Sequence, residues 1–243
     1  KEGAEVIITD TNYDESVRMA NARAEENGYV MGQDTAWDGY EEIPLWIMQG
    51  YMTMAYEIEM ELRMMQKKPT HVFLQAGVGS LAAAVTGFFA NAYPGEDKPI
   101  ITIVEPDVVA CIYESAVAGE RRLIGGEYST IMAGLACGEP NTVGLKVLMD
   151  YADNFIAAAD EYAAYGMRVL GNPLPGDPRV ISGESGAAPF GVICKILQED
   201  ELKEFKETLR IDEDSVLLFI STEGDTDRKN YYDVVWDGKY PSC

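Results

Sequence analysis

Residues 70–84, THVFLQAGVGSLAAA, constrain the fold more than any other stretch of this chain. His71-Val72-Phe73-Leu74 is a short apolar run of strand character. Gln75-Ala76-Gly77-Val78-Gly79-Ser80 reads as a tight turn, and the small residues from Leu81 onward suit a helix. Two glycines in such a turn permit positive φ and a close backbone approach that a Cβ would block. A strand feeding a helix in this way aims several backbone N–H groups, one hydroxyl and the positive end of the helix at one point. That point suits a phosphate. The same sequence also serves as a plain strand-to-helix connection with no ligand.

Apolar runs and helical patterns alternate along the rest of the chain. Strands are expected at 4–8, 29–31, 99–104, 155–158 and 215–220. Helices are expected at 15–27, from Pro44 to about Gln66, at 107–118, 142–150, 160–170 and 200–209, and from the 182–187 loop to about Leu197. The stripe of Trp46, Met48, Met52, Met54, Tyr56 and Met60 on the second helix reads as core packing. Near-continuous apolar strands alternating with helices imply an α/β fold, an open, mostly parallel sheet covered by helices on both faces. Five polar or glycine-rich loops, 33–37, 75–80, 105–107, 182–187 and 221–227, each follow an expected strand. Ligands of open α/β sheets bind outside the carboxyl ends of the strands, so a site is expected there.

The 243 residues are 47% hydrophobic, enough for a sizeable core in one large domain or two small ones. Acidic residues outnumber basic ones 41 to 19, which argues against nucleic-acid binding through a basic face. No apolar run approaches the roughly 20 residues that span a bilayer, and no secretory signal is evident. Four cysteines make no disulfide scaffold, and the single histidine, His71, excludes a histidine-rich metal site. His71 and Cys194 read as structural and core residues, Cys243 as an exposed terminal thiol. Asp225 and Asp227 are open to two readings, a metal pair or a helix cap; no metal site is expected.

Several motifs carry a family resemblance. The 75–80 turn resembles the phosphate cup of fold-type-II pyridoxal-phosphate enzymes, the tryptophan synthase β and threonine dehydratase group. Ser221-Thr222-Glu223-Gly224-Asp225 resembles the loop of that group whose hydroxyl meets the pyridine nitrogen. More narrowly, 33–40 (QDTAWDGY), 130–140 (TIMAGLACGEP) and 181–186 (ISGESG) resemble the diaminopropionate ammonia-lyase family. The resemblance spans almost the whole chain. It implies pyridoxal 5'-phosphate as cofactor and α,β-elimination of 2,3-diaminopropionate to pyruvate and ammonia, with the cofactor ring as electron sink.

Asp34 matches the family's carboxylate base toward the L substrate, in a setting that could raise its pKa by partial burial. Its other reading is a capping aspartate in a turn. Ala76, Gly77, Val78, Gly79 and Ser80 would hold the phosphate. Ser221 or Thr222 would face the pyridine nitrogen, and Glu105 would bond the cofactor. Thr35, Ala36, Glu184 and Ser185 would line the substrate pocket. Glu105, Glu139 and Glu184 are equally open to a structural role. Cys111 and Cys137 could meet near the mouth of the site, as a disulfide or as two thiols.

The family's cofactor-binding lysine lies upstream of every motif seen here, and no lysine of this chain sits in a matching motif. The fold is therefore expected to be incomplete at its N-terminus, with 1–37 the end of a small domain and 38–243 the bulk of a large cofactor-binding domain. The chain alone is expected to be inactive. A homodimer, a small amino-acid substrate, the missing N-terminal segment as a further partner and a cytoplasmic location complete the implied picture. The rivals are another fold-type-II lyase such as a threonine or serine dehydratase, an inactive fragment acting as an assembly partner, and a dinucleotide-binding domain. Dinucleotide binding fares poorly, because Ala82 stands where the third glycine of its fingerprint would sit.

Overall fold

The computed structural model describes residues 3–241; the expectation about Cys243 falls outside them. In chain order the elements are α1 (Tyr13–Asn27), α2 (Glu42–Met64), β1 (His71–Gln75), α3 (Ser80–Ala92), β2 (Ile100–Pro106), α4 (Cys111–Ala118) and α5 (Thr142–Tyr151). They continue with β3 (Asn154–Ala158), α6 (Asp160–Gly171), α7 (Glu184–Gln198), α8 (Lys203–Leu209), β4 (Leu217–Phe219) and α9 (Arg228–Val235).

The four strands form one parallel sheet in the order β3-β2-β1-β4. β1 lies inside it, with Phe73 opposite Thr102 on one side and Phe219 on the other. Alternation along the strands divides the core. Val72, Leu74, Ile101 and Ile103 pack with Val85 and Phe89 of α3 and Leu148 of α5. Phe73 and Val104 face the other way, onto Val192, Ile193 and Ile196 of α7. Helices thus cover both faces, as the near-continuous apolar strands require.

His71 is buried, and its Nε2 lies 2.9 Å from the carbonyl of Leu209. That carbonyl can only accept, so Nε2 carries the hydrogen and the ring acts as a structural strut. Asp227 caps α9 by accepting from the Asn230 N–H at 3.0 Å, while Asp225 pairs with Arg228 at 3.8 Å. Among the described residues no helix is long and apolar enough to cross a membrane.

Two expected strands are absent. Residues 4–8 and 29–31 join no strand among the described residues, and Val6, Ile8 and Val30 are exposed. β-branched runs become strands only where a neighbour accepts their hydrogen bonds. The loop 33–37 therefore reaches the sheet edge without a preceding strand, and so does 182–187, because residues 179–181 form no strand either. The methionine and aromatic stripe of α2 is also not the core face: Met48 is buried, but Trp46, Met52, Tyr56 and Met60 are exposed. The face that packs inward runs through Pro44, Met48, Tyr51 and Ala55, at helical spacing.

Candidate active site

The β1–α3 turn forms one wall of an open cavity of about 330 Å³ at the carboxyl edge of the sheet. Gly79 caps α3 with φ of 93°, the left-handed region that glycine enters without strain. A Cβ on Gly77 would stand 3.2 Å from both Cys137 Sγ and the Gly134 carbonyl. The turn is thus both conformationally and sterically committed to glycine. The N–H groups of Gly79, Ser80 and Leu81 donate to no carbonyl among the described residues. With the positive end of a thirteen-residue helix behind them, they form an anion cradle.

Asp34 borders the same cavity, beside Ser80 of this turn. Burial pushes its carboxyl above the usual carboxylate range, against smaller stabilising hydrogen bonds from its own backbone, Tyr51 and Ser80. Tyr51 of α2 donates to Asp34 Oδ2 at 3.3 Å. The backbone of Asp34 is pinned separately. Its carbonyl accepts from Ser80 Oγ at 2.8 Å and from Asn141 Nδ2 at 2.7 Å. Asn141 also donates to Ser80 Oγ at 2.8 Å, while its Oδ1 caps α5. Asp34 is thus not a turn cap; other residues hold its loop in place and leave its carboxyl facing the cavity.

The other expected residues divide. Ala76 to Ser80, Ser185 and Thr222 line this cavity. The Ser80 hydroxyl, however, is already given to the Asp34 carbonyl, so its N–H is what faces an anion. Thr35 and Ala36 line an adjoining cavity of about 300 Å³, on the far side of Tyr13, which borders both. Glu184 pairs with Asn230 and lies off the cavity wall. Ser221 donates to Ser182 Oγ at 2.9 Å and also lies off the wall.

Glu105 is placed elsewhere. Its two carboxyl oxygens accept from the N–H groups of Ile112 and Tyr113 at 2.8 and 2.7 Å, so it caps α4 rather than facing the cavity. Burial pushes it up to about 8, against those two hydrogen bonds. Cys111 and Cys137 are free thiols. Cys111 Sγ points to the carbonyl of Cys137 at 3.3 Å rather than to its sulfur, and burial pushes Cys137 up to about 12.

Sequence reasoning passed over Tyr13, Tyr51, Gln75, Asn141 and Glu223. Tyr13, pushed up to about 12 chiefly by burial, brings a protonated phenol to the wall. Glu223 Oε1 accepts from the Ser185 and Gly186 N–H groups at 2.5 and 3.2 Å and ties the β4–α9 loop to the start of α7. Asn141, directly after Pro140, had the one recognisable signal, that of an N-cap.

A family model described as pyridoxal-phosphate dependent enzyme matches residues 1–216. The chain belongs to the pyridoxal-phosphate-dependent enzymes. Diaminopropionate ammonia-lyase of Escherichia coli K12 is 51% identical over 238 residues, 98% of this chain and 60% of the relative. The Salmonella typhimurium LT2 enzyme of the same name is 47% identical over 241 residues, 98% of this chain and 59% of the relative. The chain therefore spans about 60% of the length of these curated relatives. A solved structure of the E. coli enzyme, in complex with an aminoacrylate-PLP azomethine reaction intermediate, superimposes with TM-score 0.92 at 50% identity, covering 98% of this chain and 60% of that one. Maize serine racemase, at 18% identity and TM-score 0.69 over 93% of this chain and 63% of its own, shares the fold-type-II architecture of these pyridoxal-phosphate enzymes.

The cavity suits that cofactor. It offers a cradle for a phosphate in which a Cβ on Gly77 would crowd its neighbours. It also has a buried amide oxygen, Gln75 Oε1, without a protein partner.

Proposed function

We propose that this chain forms the cofactor-binding part of a lyase that eliminates ammonia from 2,3-diaminopropionate to give pyruvate. One observation carries the reading: a partly desolvated carboxyl, Asp34, shares a cavity with a glycine cradle fit for a phosphate. The kinship to the two ammonia-lyases supports the substrate.

Pyridoxal phosphate, when bound, supplies an electron sink for the carbanion formed at an amino acid's Cα. The chain's own residues do the rest. Backbone N–H groups of Gly77 to Ser80 hold the phosphate. Asp34 takes the Cα proton; its raised pKa brings it closer to the acidity a general base needs near neutral pH. Tyr51 holds one carboxyl oxygen and so limits the directions in which Asp34 can accept. Ser221 or Thr222 gives the ring nitrogen a neutral hydroxyl partner, and Ser185 narrows the substrate side. Residues 1–37 act as the end of a small domain and 38–243 as the large one.

Among the described residues no lysine lines the cavity. We infer that the lysine carrying the cofactor belongs to the length that the relatives have and this chain does not span, and that the 243 residues alone do not turn over. A homodimer in the cytoplasm fits this reading.

The test is pyruvate release from diaminopropionate, set against release of oxo-acid from serine and threonine, by a full-length protein that includes this chain and is supplied with pyridoxal phosphate; the 243 residues alone should release none. Pyruvate from diaminopropionate with a visible absorbance band that responds to it supports the proposal. Preference for serine or threonine replaces it with a dehydratase.

A further inference from the structure

Gln75 closes β1 with its amide buried against the cavity. One end of that amide lies 2.9 Å from the Ile220 carbonyl, which can only accept. That end is therefore the NH2 group. The same nitrogen lies 2.8 Å from Thr222 Oγ1. An amide nitrogen has hydrogens to give and no lone pair to offer, so Thr222 must accept here. Its own hydrogen stays free for a different acceptor. Thr222 borders the cavity, while the neighbouring Ser221 gives its hydrogen to Ser182.

We propose that Gln75 is a positioning residue that makes Thr222 a hydrogen-bond donor into the cavity, toward the pyridine nitrogen of pyridoxal phosphate, and that Thr222 rather than Ser221 makes this contact. The inference rests on the proposed function and adds what selects the hydroxyl and sets its polarity. A ring nitrogen that must accept from Thr222 is held unprotonated, because a protonated one has no lone pair to receive the hydrogen. The Ile220 carbonyl is what fixes the direction. It holds the amide so that the nitrogen faces Thr222, and leaves Gln75 Oε1 without a protein partner.

The experiment is a pyridoxal-phosphate titration followed by quenching of intrinsic fluorescence, on the parent protein and on variants shown to be folded by circular dichroism. Gln75→Glu presents oxygen where nitrogen was. Thr222 then donates to residue 75 and turns its hydrogen from the cavity. Affinity is expected to fall about tenfold, and by less than about twofold when Thr222→Val is already present, since residues acting through one contact are not additive. Gln75→Met, which merely frees the hydroxyl to rotate, should lose about threefold with the same cancellation, and serves if the glutamate variant fails to fold. Thr222→Ser should bind like the parent, as should Ser221→Ala. Equal losses in both backgrounds, or a larger loss from Ser221→Ala than from Thr222→Val, overturn the inference and leave the proposed function standing. A parent protein that does not bind pyridoxal phosphate overturns both.

Discussion

Asp34 and Glu105 are two carboxyl groups raised by the same cause, removal from water, and placed in opposite company. Glu105 is fully buried and commits both oxygens to the first N–H groups of α4, at 2.8 and 2.7 Å. Asp34 has weaker donors, its own backbone, the Tyr51 phenol at 3.3 Å and Ser80, and borders the open cavity. A perturbed pKa therefore does not by itself mark a reactive group. The donors around it do: a carboxyl whose oxygens are already bound by fixed backbone holds the fold together, and one with an oxygen to spare can take a proton from a ligand.

The sharpest way to break this contrast is to neutralise each carboxyl in turn. In a full-length protein that includes this chain, to which the turnover predictions here and below refer, Asp34→Asn should lower diaminopropionate turnover about 10³-fold, the usual size of a lost general base. Its denaturation midpoint should not fall, because a partly desolvated charge is removed. A variant that keeps its rate would return Asp34 to a merely structural role.

Glu105 should answer to pH through stability. Its folded pKa is raised from 4.5 to about 8. Between those values the folded carboxyl keeps a proton that the unfolded chain has lost. Stability is then fullest at the acid end and declines as pH rises, by at most about 1.4 kcal/mol per pH unit. Denaturant titrations from pH 5 to pH 8 check this, and Glu105→Gln, which stays neutral, should flatten the slope. A wild-type curve without slope would mean that the two N–H donors outweigh burial. At acid pH, Glu105→Ala should cost about 2 kcal/mol of unfolding free energy by leaving two buried donors unmet, with turnover little changed.

The smallest effect belongs to Tyr51→Phe. Loss of one hydrogen bond to the charged form of Asp34 raises its pKa further, so the acidic limb of the turnover profile should move up by about one pH unit or less. A limb that stays still would detach Tyr51 from Asp34.

What the sequence made legible was local. The glycine turn at 75–80 declares itself because its chemistry, positive φ and crowding at Cβ, is written in residue types. The parallel sheet follows from apolar runs at 71–75 and 100–106 that have no polar side. Partnership was not legible. Nothing in Val6-Ile7-Ile8 tells that no strand lies beside it. Nothing in the 105–107 loop tells that Glu105 turns back to α4 while Asp34, 71 positions earlier by residue number, turns outward. Tyr51 stayed hidden because a more conspicuous stripe of methionines and aromatics runs along the other side of its helix. Gln75 stayed hidden because an amide at a strand end acquires meaning only from the carbonyl of Ile220, 145 residues away.

The Asn141 amide has a bearing on how the protein is made. It joins the Asp34 carbonyl to the Ser80 hydroxyl and to the start of α5, across 107 positions of chain in the longest of these links. Closing so wide a loop is entropically costly and comes late in folding relative to neighbouring contacts. During synthesis the loop bearing Asp34 leaves the ribosome well before the asparagine that fastens it. The carboxyl therefore gains its place, and whatever reactivity follows from that place, only when the middle third of the chain has arrived.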